Sequence, residues 1–260
     1  CHYCIIGRPV LCDGVSAPRH TLFDGSSRLS KDGQTIHHMA RTSCFAEYAV
    51  VPESGAVPVR ADMPLDKGCL VGCAVMTGVG AVFNTAKVEA GSSVAVFGAG
   101  GIGLNAIQGA ALVGAEQIIA IDLADLKLTF ARDFGATHVI NPRKDGEVVK
   151  MIRGMTDGGA DYAFECIGVP EVIAQAYDCV RKGGTAVVVG VSKVSDEVSL
   201  RAFGIPFQEK VLVGSMYGSA RPRIDFPRLL SLYRQGRLKL DELVTATYAI
   251  QDVNRAFADM

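Results

Sequence analysis

Between residues 91 and 218, short runs of apolar residues alternate with stretches of helical spacing. The apolar runs are SVAVFG (93–98), QIIAID (117–122), HVIN (138–141), DYAFECIG (161–168), TAVVVGV (185–191) and KVLVGSMYG (210–218). Helical spacing covers residues 102–113, 123–134, 147–155 and 171–180. Strands that are apolar on both faces and separated by helices are typical of a doubly wound parallel sheet. We therefore predict an α/β fold with such a sheet.

The flanking segments have different patterns. Residues 1–43 are rich in Gly, Pro, Asp and Ser and predict loops, whereas residues 45–64 predict short strands broken by Pro52, Pro58 and Pro64. Residues 65–87 have the spacing of one helix. After residue 219 the pattern predicts a helix over 225–238, a strand over 243–250 and a last helix that reaches Met260.

Composition narrows the class of protein. The formal net charge is −1, so nothing indicates binding to nucleic acid or to an anionic membrane. The most apolar stretch, residues 92–122, contains Asn105, Gln108, Glu116 and patterned glycines, and it predicts a soluble strand–turn–helix instead of a membrane span. Eight cysteines, several of them in apolar runs, fit a reducing compartment, and the cytoplasm is the expected location.

A glycine turn follows the first of the predicted sheet strands. VAVFGAGGIGL places Gly98, Gly100 and Gly103 in the spacing G-x-G-x-x-G between a strand and a helix. The first glycine allows a tight turn, the second allows the backbone to approach a pyrophosphate, and the third allows the helix to pack on the strand. The helix start, with Gly101 and Ile102, offers free N–H groups to phosphates. This context predicts a dinucleotide site.

Asp122 ends the next strand, 19 positions after Gly103. A carboxylate at this place accepts hydrogen bonds from the adenosine ribose and repels a 2′-phosphate, so Asp122 predicts NAD in preference to NADP. Lys127 is a candidate to reach the same ribose, and an ordinary solvated helix lysine is an equal alternative.

Three cysteines open the chain in the sequence CHYCIIGRPVLC. The spacing of Cys1, Cys4 and Cys12 favours a zinc site, since a short turn directs two thiolates at one point. Free thiols, a disulfide and a three-cysteine site completed by His2 or Asp13 remain alternatives at this stage.

Four segments in order resemble zinc-dependent alcohol dehydrogenases of the medium-chain dehydrogenase/reductase superfamily: the cysteine run, SCFAEYAVVPE, CLVGCAVMTGVGAV and VFGAGGIGL. The resemblance covers essentially the whole chain. It implies a Rossmann dinucleotide-binding domain and an incomplete, β-rich, GroES-like catalytic domain. The expected division is residues 1–76 for the partial catalytic domain with its structural-zinc lobe, 77–218 for the Rossmann domain and 219–260 for a truncated return to the catalytic domain.

The resemblance also assigns the metals. Cys1, Cys4 and Cys12 match the second, third and fourth ligands of a structural zinc. The first ligand would precede residue 1, so we expect a fragment that lacks its N-terminal part and its extreme C-terminus. Cys73 matches a ligand of the catalytic zinc, and its other ligands and the proton relay fall outside this sequence. Polyol dehydrogenases tend to have Glu at this place, so Cys73 favours the alcohol dehydrogenase branch.

Further positions match segments that border the cofactor in this family. They are Thr77, Ile167, Gly168, Val189, Gly190, Val191 and Tyr217. Met39 matches a substrate-pocket position. None of the five histidines matches a catalytic one, and Cys166 lacks an obvious histidine partner for nucleophilic chemistry.

The function implied is hydride transfer between an alcohol, aldehyde or ketone and NAD, with zinc polarising the substrate oxygen. Each complete subunit would hold one catalytic and one structural Zn²⁺. The alternatives are a formaldehyde thiol-adduct or polyol dehydrogenase of the same superfamily and a non-catalytic NAD-binding module. We expect a homodimer or homotetramer that pairs through the KVLVGSMYG edge strand, and little turnover by residues 1–260 alone.

Overall fold

The computed structural model describes residues 1–43, 45 and 48–259. Its centre is a six-stranded parallel sheet in the order β5-β4-β3-β6-β7-β8. The strands are β3 Ser93–Phe97, β4 Gln117–Ile121, β5 His138–Ile140, β6 Ala160–Glu165, β7 Val180–Val188 and β8 Val211–Gly214. A two-stranded antiparallel hairpin of β1 Leu29–Lys31 and β2 Gln34–Ile36 lies outside this sheet. The predicted doubly wound parallel sheet is confirmed.

Helices connect the strands of the sheet and flank it at both chain ends. The α-helices are α1 His2–Ile5, α2 Leu65–Gly68, α3 Ala74–Gly80, α4 Gly101–Val113, α5 Asp125–Asp133, α6 Pro142–Asp145, α7 Val148–Met155, α8 Pro170–Cys179, α9 Gly204–Gln208, α10 Pro222–Arg234 and α11 Val253–Asp259. Short 3₁₀ turns occupy Pro9–Leu11, Met39–Arg41, Glu53–Gly55, Cys69–Gly72, Tyr217–Ser219, Asp241–Leu243 and Ile250–Asp252, and a π-helical turn, Ala81–Ala86, continues α3.

Both faces of the sheet are buried, as the unbroken apolar runs predict. Val94 and Val96 of β3 belong to one core cluster, and Ala95 and Phe97 belong to the other. Successive side chains of a strand point to opposite faces, so a strand covered by helices on both sides must be apolar at every position. This packing leaves only the strand ends free for polar chemistry.

Helix α3 joins the sheet to the rest of the chain. A Cβ on Gly78 would lie 2.4 Å from the carbonyl oxygen of Ile102, so α3 and α4 approach each other at backbone distance. On its other side α3 contributes Val75 and Val79 to a third core cluster with Leu229 of α10. The position of α3, and of the residue that precedes it, is therefore fixed by close packing on two sides.

The prediction of one helix over residues 65–87 is wrong at one place. The helix is broken at Cys73 (φ −144°, ψ −88°), and the segments Leu65–Gly72 and Ala74–Ala86 are bent by 52°. Periodicity cannot reveal such a break, because apolar spacing continues on both sides of it. As a result Cys73 is the N-cap residue of α3, and its carbonyl oxygen accepts the Thr77 N–H at 2.9 Å.

Two predicted β segments form no strand in the described residues. Between 45 and 64 the described chain has the 3₁₀ turn Glu53–Gly55 and a turn at residues 61–62 but no strand, and residues 244–249 form no ladder bonds. An extended segment becomes a strand only where a second one pairs with it, and the prolines of the first segment remove donors from such pairing. The hairpin β1–β2 was missed within a segment predicted as loop. Cys44, Ala46 and Glu47 of the SCFAEYAVVPE motif, and Met260, lie outside the described residues.

No single helix in the described ranges has the length and apolarity needed to cross a membrane. The bent pair at Cys73 passes that test by length and composition only, and most of its second half is buried in the core.

Candidate functional site

The carboxyl ends of five parallel strands lie in register at one edge of the sheet. Phe97 pairs with Ile121 on one side and with Glu165 on the other, Glu165 pairs with Val188, and Val188 pairs with Gly214. Loops that follow aligned strand ends emerge side by side. The sheet thus brings together the segments after residues 97, 121, 165, 188 and 214, which contain most of the predicted cofactor residues.

The glycine turn after β3 has the geometry that its spacing predicts. Gly98 has φ +90°, and its N–H donates to the Ile121 carbonyl at 2.7 Å. A Cβ on Gly103 would lie 1.7 Å from the carbonyl oxygen of Gly98, so helix and turn pack at backbone distance. A Cβ on Gly100 would meet no atom within 4 Å, which leaves open space in front of the first turn of α4. That space, with free N–H groups behind it, suits a pyrophosphate.

Asp122 lies across the glycine turn. Its Oδ2 accepts the Ala99 N–H at 2.9 Å and its Oδ1 accepts the Ala124 N–H at 3.0 Å. These two bonds fix a half-buried carboxylate at the end of β4, beside the turn. Lys127 is exposed on α5, and its proposed contact with the ribose stays a prediction.

Two loops at the opposite side of the turn pack backbone against backbone. A Cβ on Gly168 (φ +89°) would lie 2.5 Å from the Val191 carbonyl oxygen, and one on Gly190 would lie 2.1 Å from the Gly168 nitrogen. Both glycines are needed for this contact. This contact leaves Ile167 and Val191 exposed and Val189 buried at the carboxyl edge of the sheet. The open space in front of this edge is called the crevice.

Glu165 is a site residue that the sequence did not single out. It is the last residue of β6, its side chain is fully buried, and its Oε1 accepts the N–H groups of Ile167 (2.8 Å) and Gly168 (2.7 Å). The signal was present, since an acidic residue within the apolar run DYAFECIG is unusual for a core strand. Cys166 follows it, and burial, followed by the neighbouring Glu165 charge, raises the pKa of its thiol, which fits an inert cysteine.

Cys73 and Tyr217 are brought together by the fold. The Tyr217 hydroxyl donates a hydrogen bond to the carbonyl oxygen of Gly72, the residue before Cys73. The Cys73 thiol is exposed, whereas Thr77, one turn along α3, is buried. Burial, and then the charge of Cys73, raises the pKa of Tyr217 to about 12, so its hydroxyl remains a donor at neutral pH.

The loop that contains Tyr217 is strained. Tyr217, Gly218 and Ser219 all have positive φ (52°, 63° and 49°), and a Cβ on Gly218 would lie 2.3 Å from the Met76 carbonyl oxygen of α3. Left-handed backbone at non-glycine residues costs roughly 1 kcal/mol or more each and persists only where surrounding packing enforces it. The loop after β8 is therefore held against α3 at the point where the helix breaks.

The Tyr217→Phe variant is expected to unfold with a free energy lower by about 1 kcal/mol, because the hydrogen bond to the Gly72 carbonyl is lost. Metal bound at Cys73 should also dissociate a few times faster into a chelator, since the Gly72 carbonyl is no longer held. Thermal unfolding and zinc release measure the two effects. Tyr233→Phe is the matched control, because it removes a tyrosine hydroxyl that donates to Asp241 at 2.9 Å on the exposed surface. Equal metal release from both variants would contradict the link between Tyr217 and Cys73.

The three cysteines at the chain start form a cluster. The Cys1 Sγ lies 3.6 Å from the Cys4 Sγ and 3.8 Å from the Cys12 Sγ, and all three sulfurs lie within 4.8 Å of one another. Thiolates that surround zinc tetrahedrally with bonds of about 2.3 Å are about 3.8 Å apart. A disulfide would need sulfurs about 2.05 Å apart, and these thiols are free. The cluster therefore fits three ligands of a structural zinc.

Two details of the cluster agree with a cation. A hydrogen bond with the Cys12 thiol holds the pKa of Cys4 above its ordinary value, so neighbouring thiols oppose each other's ionisation, an opposition that a divalent cation reverses. The chain then folds back over the sulfurs at Gly14, where a Cβ would lie 3.3 Å from the Cys1 Cβ. Within the described residues neither His2 nor Asp13 adds a ligand atom to the group.

Met39 and Cys69 are both exposed. Met39 is 83% exposed in the turn Met39–Arg41, and its place in a substrate pocket stays a prediction. Cys69 is exposed, and its Sγ donates to the Asp66 carbonyl oxygen at 3.4 Å.

Comparison with known proteins identifies the family. Residues 101–235 match the family described as zinc-binding dehydrogenase. The S-(hydroxymethyl)glutathione dehydrogenase of Paracoccus denitrificans is 41% identical over 267 aligned positions, which cover 99% of this chain and 71% of that protein. The chain belongs to the zinc-dependent alcohol dehydrogenases. The class-3 alcohol dehydrogenase of Oryza sativa subsp. japonica is 42% identical over 262 positions, covering 99% of this chain and 68% of that protein.

Solved structures agree with this assignment. An alcohol dehydrogenase zinc-binding domain protein from Burkholderia ambifaria superposes with a TM-score of 0.91 at 34% identity over 100% of this chain and 70% of that one. Benzyl alcohol dehydrogenase from Acinetobacter calcoaceticus gives a TM-score of 0.89 at 33% identity with the same coverage. The expected medium-chain dehydrogenase fold therefore extends along the whole chain.

This alcohol dehydrogenase is an oxidoreductase that transfers a hydride between an alcohol and NAD, and zinc is its second cofactor. The alternative of a non-catalytic NAD-binding module is thereby set aside. The glycine-rich backbone at the carboxyl edge of the sheet leaves room for a dinucleotide. The exposed thiols of the cysteine cluster and of Cys73 are side chains that bind zinc as thiolates.

Proposed function

We propose that the reaction of this alcohol dehydrogenase takes place at the carboxyl edge of the sheet, with Cys73 as one ligand of the catalytic zinc. The observation that supports this most is the hydrogen bond from the Tyr217 hydroxyl to the Gly72 carbonyl. It joins the loop after β8, which would border the nicotinamide, to the residue before the metal ligand. Zinc and the reacting end of NAD would then share one crevice.

The residues of the edge would divide the work of binding. Gly100 and the N–H groups at the start of α4 would hold the pyrophosphate, and Asp122 would accept hydrogen bonds from the adenosine ribose. When bound, zinc supplies Lewis-acid polarisation of the substrate oxygen, and NAD takes or gives the hydride. The chain itself would orient the ring, through the residues Thr77, Ile167, Gly168, Val189, Gly190, Val191 and Tyr217.

Asp122 is proposed to select NAD over NADP. Its two fixed oxygens cannot move aside without losing the Ala99 and Ala124 N–H groups, so a 2′-phosphate meets an immobile negative charge. We expect Asp122→Ser to weaken NAD binding by a factor of roughly 10 to 100, the worth of a charge-assisted hydrogen bond, and to narrow the preference over NADP. Titration of the wild type and the variant with NAD and with NADP measures both affinities. Lys127→Ala is the control, and a larger effect there than at Asp122 would contradict the assignment.

The substrate class is proposed to be a primary alcohol. The benzyl alcohol dehydrogenase that this chain resembles acts, by its name, on such a compound, at 33% identity. A second candidate is a formaldehyde–thiol adduct, which also carries a primary hydroxyl; the relatives named S-(hydroxymethyl)glutathione dehydrogenase and class-3 alcohol dehydrogenase, at about 41% identity, favour it. A polyol is the third, and Cys73 in place of Glu speaks against it.

Steady-state kinetics of the full-length enzyme with NAD separate these candidates. The substrates are benzyl alcohol, the adduct of formaldehyde with glutathione, and 2,3-butanediol. We expect kcat/KM for a primary alcohol to exceed that for butanediol by roughly tenfold or more, since a pocket distinguishes groups of this size by about 1–3 kcal/mol. The primary alcohol with the higher kcat/KM is then assigned as the substrate. A higher kcat/KM for butanediol would contradict the proposal.

A homodimer or homotetramer and a cytoplasmic location are also proposed. Strand β8 is the last strand of the sheet, and Val211 and Leu212 on it are exposed, as are the stacked Phe203 and Phe207 of the preceding segment. An unpaired apolar edge favours pairing with a second copy, and sedimentation of a monomer would contradict it. The seven described cysteines are free, which suits a reducing compartment.

The proposed domain division remains 1–76, 77–218 and 219–260. The third core cluster supports it, because that cluster contains Met63 and Val71 from the first part and Leu229 and Leu240 from the last. The first and last parts would thus form one unit against α3.

A further inference from the structure

Glu165 carries a buried oxygen that no described residue satisfies. Its Oε1 is bonded to two N–H groups, but its Oε2 has no hydrogen-bond partner. Among side-chain nitrogen and oxygen atoms of the described residues it is the single buried one in this condition. A buried polar atom without a partner destabilises a protein, and more so when it is charged, so its presence calls for an explanation.

No basic side chain in the described part of the chain forms an ion pair with this carboxylate. None of the ion pairs formed by the described residues involves Glu165. The two N–H groups that it accepts come from Ile167 and Gly168, and they offset part of a negative charge without neutralising it. An ionised Glu165 has half of its acceptor capacity unused and would attract a cation.

The place of Glu165 in the sheet indicates which cation. It ends β6 and pairs with Phe97 of β3, the strand that leads into the glycine turn. The strand order β5-β4-β3-β6-β7-β8 has its topological switch point between β3 and β6, because the strands after β3 are added first on one side of it and then, from β6 onward, on the other. In folds of this type a dinucleotide binds across the switch point. Under the proposed function, the loop that Glu165 holds through the Ile167 and Gly168 N–H groups would border the nicotinamide.

We propose that the Glu165 carboxylate discriminates between the two redox forms of the cofactor and favours the oxidised one. The proposal rests on the cofactor site described under the proposed function. The nicotinamide ring of NAD⁺ carries a positive charge, and the ring of NADH is neutral. A fixed carboxylate near the ring therefore attracts the first form and not the second. Because binding and redox equilibria are linked, bound NADH becomes the stronger hydride donor.

The size of the effect follows from electrostatics. Attraction between opposite charges through an effective dielectric constant of about 20 gives a preference on the order of tenfold. An effect of this size is measurable as the ratio of two dissociation constants. It does not require that Glu165 touch the cofactor, and Glu165 is thus a specificity-determining residue and not a catalytic one.

The experiment compares Kd for NAD⁺ and NADH in wild-type protein and in variants at this position. Glu165→Gln has the same shape, and its amide oxygen can still accept the Ile167 and Gly168 N–H groups. Glu165→Met removes both charge and hydrogen bonds at similar volume, and Glu165→Asp keeps the charge on a shorter side chain. Calorimetry gives Kd for NAD⁺, NADH fluorescence gives the second constant, and circular dichroism checks folding.

We expect the ratio Kd(NAD⁺)/Kd(NADH) to rise roughly tenfold in both neutral variants and to stay within about twofold of wild type in Glu165→Asp. If a neutral variant does not fold, the other one and Glu165→Asp decide. An unchanged ratio in the neutral variants, with both constants shifted equally, would mean that Glu165 only holds the loop. Wild-type protein that binds neither cofactor would overturn the cofactor site itself, so the two failures are distinguishable.

Discussion

The Cys73→Ser variant of the full-length enzyme is expected to bind one zinc ion fewer per chain and to lose kcat/KM for alcohol oxidation by a factor of roughly 10³ or more. Lewis-acid polarisation is worth several kcal/mol, and each 1.4 kcal/mol of barrier is about tenfold in rate. A serine hydroxyl is a poor ligand for zinc, which prefers thiolate and imidazole. Elemental analysis and steady-state kinetics measure the two losses.

Cys69→Ser is the matched control for this experiment. Cys69 lies four residues earlier in the same stretch, is also exposed, and its thiol bonds only to the Asp66 carbonyl oxygen. We expect this variant to keep its zinc and its turnover. Cobalt substitution adds a second readout, since cobalt–thiolate absorption should fall in Cys73→Ser while the contribution of the Cys1, Cys4 and Cys12 site remains. A Cys73→Ser enzyme with full zinc content and full activity would contradict the assignment.

The second large effect is expected at Gly103. In Gly103→Ala the new Cβ would lie 1.7 Å from the Gly98 carbonyl oxygen, so the turn and the first turn of α4 must move apart. Overpacking of this kind typically destabilises by about 1–3 kcal/mol. The displaced N–H groups would no longer meet the pyrophosphate, and we expect NAD affinity to fall by roughly 100-fold or more, as for the loss of two hydrogen bonds to a charged group. Chemical denaturation and NAD titration measure both.

Two further glycine variants separate the causes. In Gly100→Ala the Cβ enters open space, so the folding free energy should hardly change while NAD binding is lost. Gly154→Ala, in α7, also meets no atom within 4 Å and lies outside the crevice, so it should leave NAD binding unchanged and stabilise the helix by up to about 1 kcal/mol. Normal NAD binding by Gly103→Ala would show that the turn tolerates a side chain and that its glycine spacing carries no meaning.

The strands of the sheet were predictable because burial on both faces requires apolar residues at successive positions of a strand. The runs SVAVF and QIIAI lie entirely within the observed β3 and β4, and helices α4, α5, α7 and α8 begin and end within two residues of the predicted limits. The glycine turn was predictable for a related reason: its backbone geometry excludes side chains at fixed positions, so the requirement is local and visible in the residue types.

The predictions that were wrong concern features that depend on contacts between residues far apart in the sequence. Residues 45–64 and 243–250 have β-type composition, yet whether they form strands depends on a partner elsewhere, and in the described residues they have none. The break at Cys73 precedes a helix that packs closely on α4 and on the loop at Gly218, both distant in sequence. Neither partner pairing nor a close approach of that kind leaves a periodic signal.

For the site, the sequence by itself determined the parallel sheet, the glycine turn, Asp122 after the second strand and a cysteine cluster with zinc spacing. All of these depend on residues near one another in the chain. Only the tertiary structure decided that the Tyr217 hydroxyl holds Gly72 beside Cys73, and that Glu165 keeps an unpartnered oxygen beneath the crevice. Both features lie where the aligned strand ends bring together residues more than 60 positions apart in the chain. Contacts of this kind depend on long-range packing and cannot be predicted from a local sequence pattern.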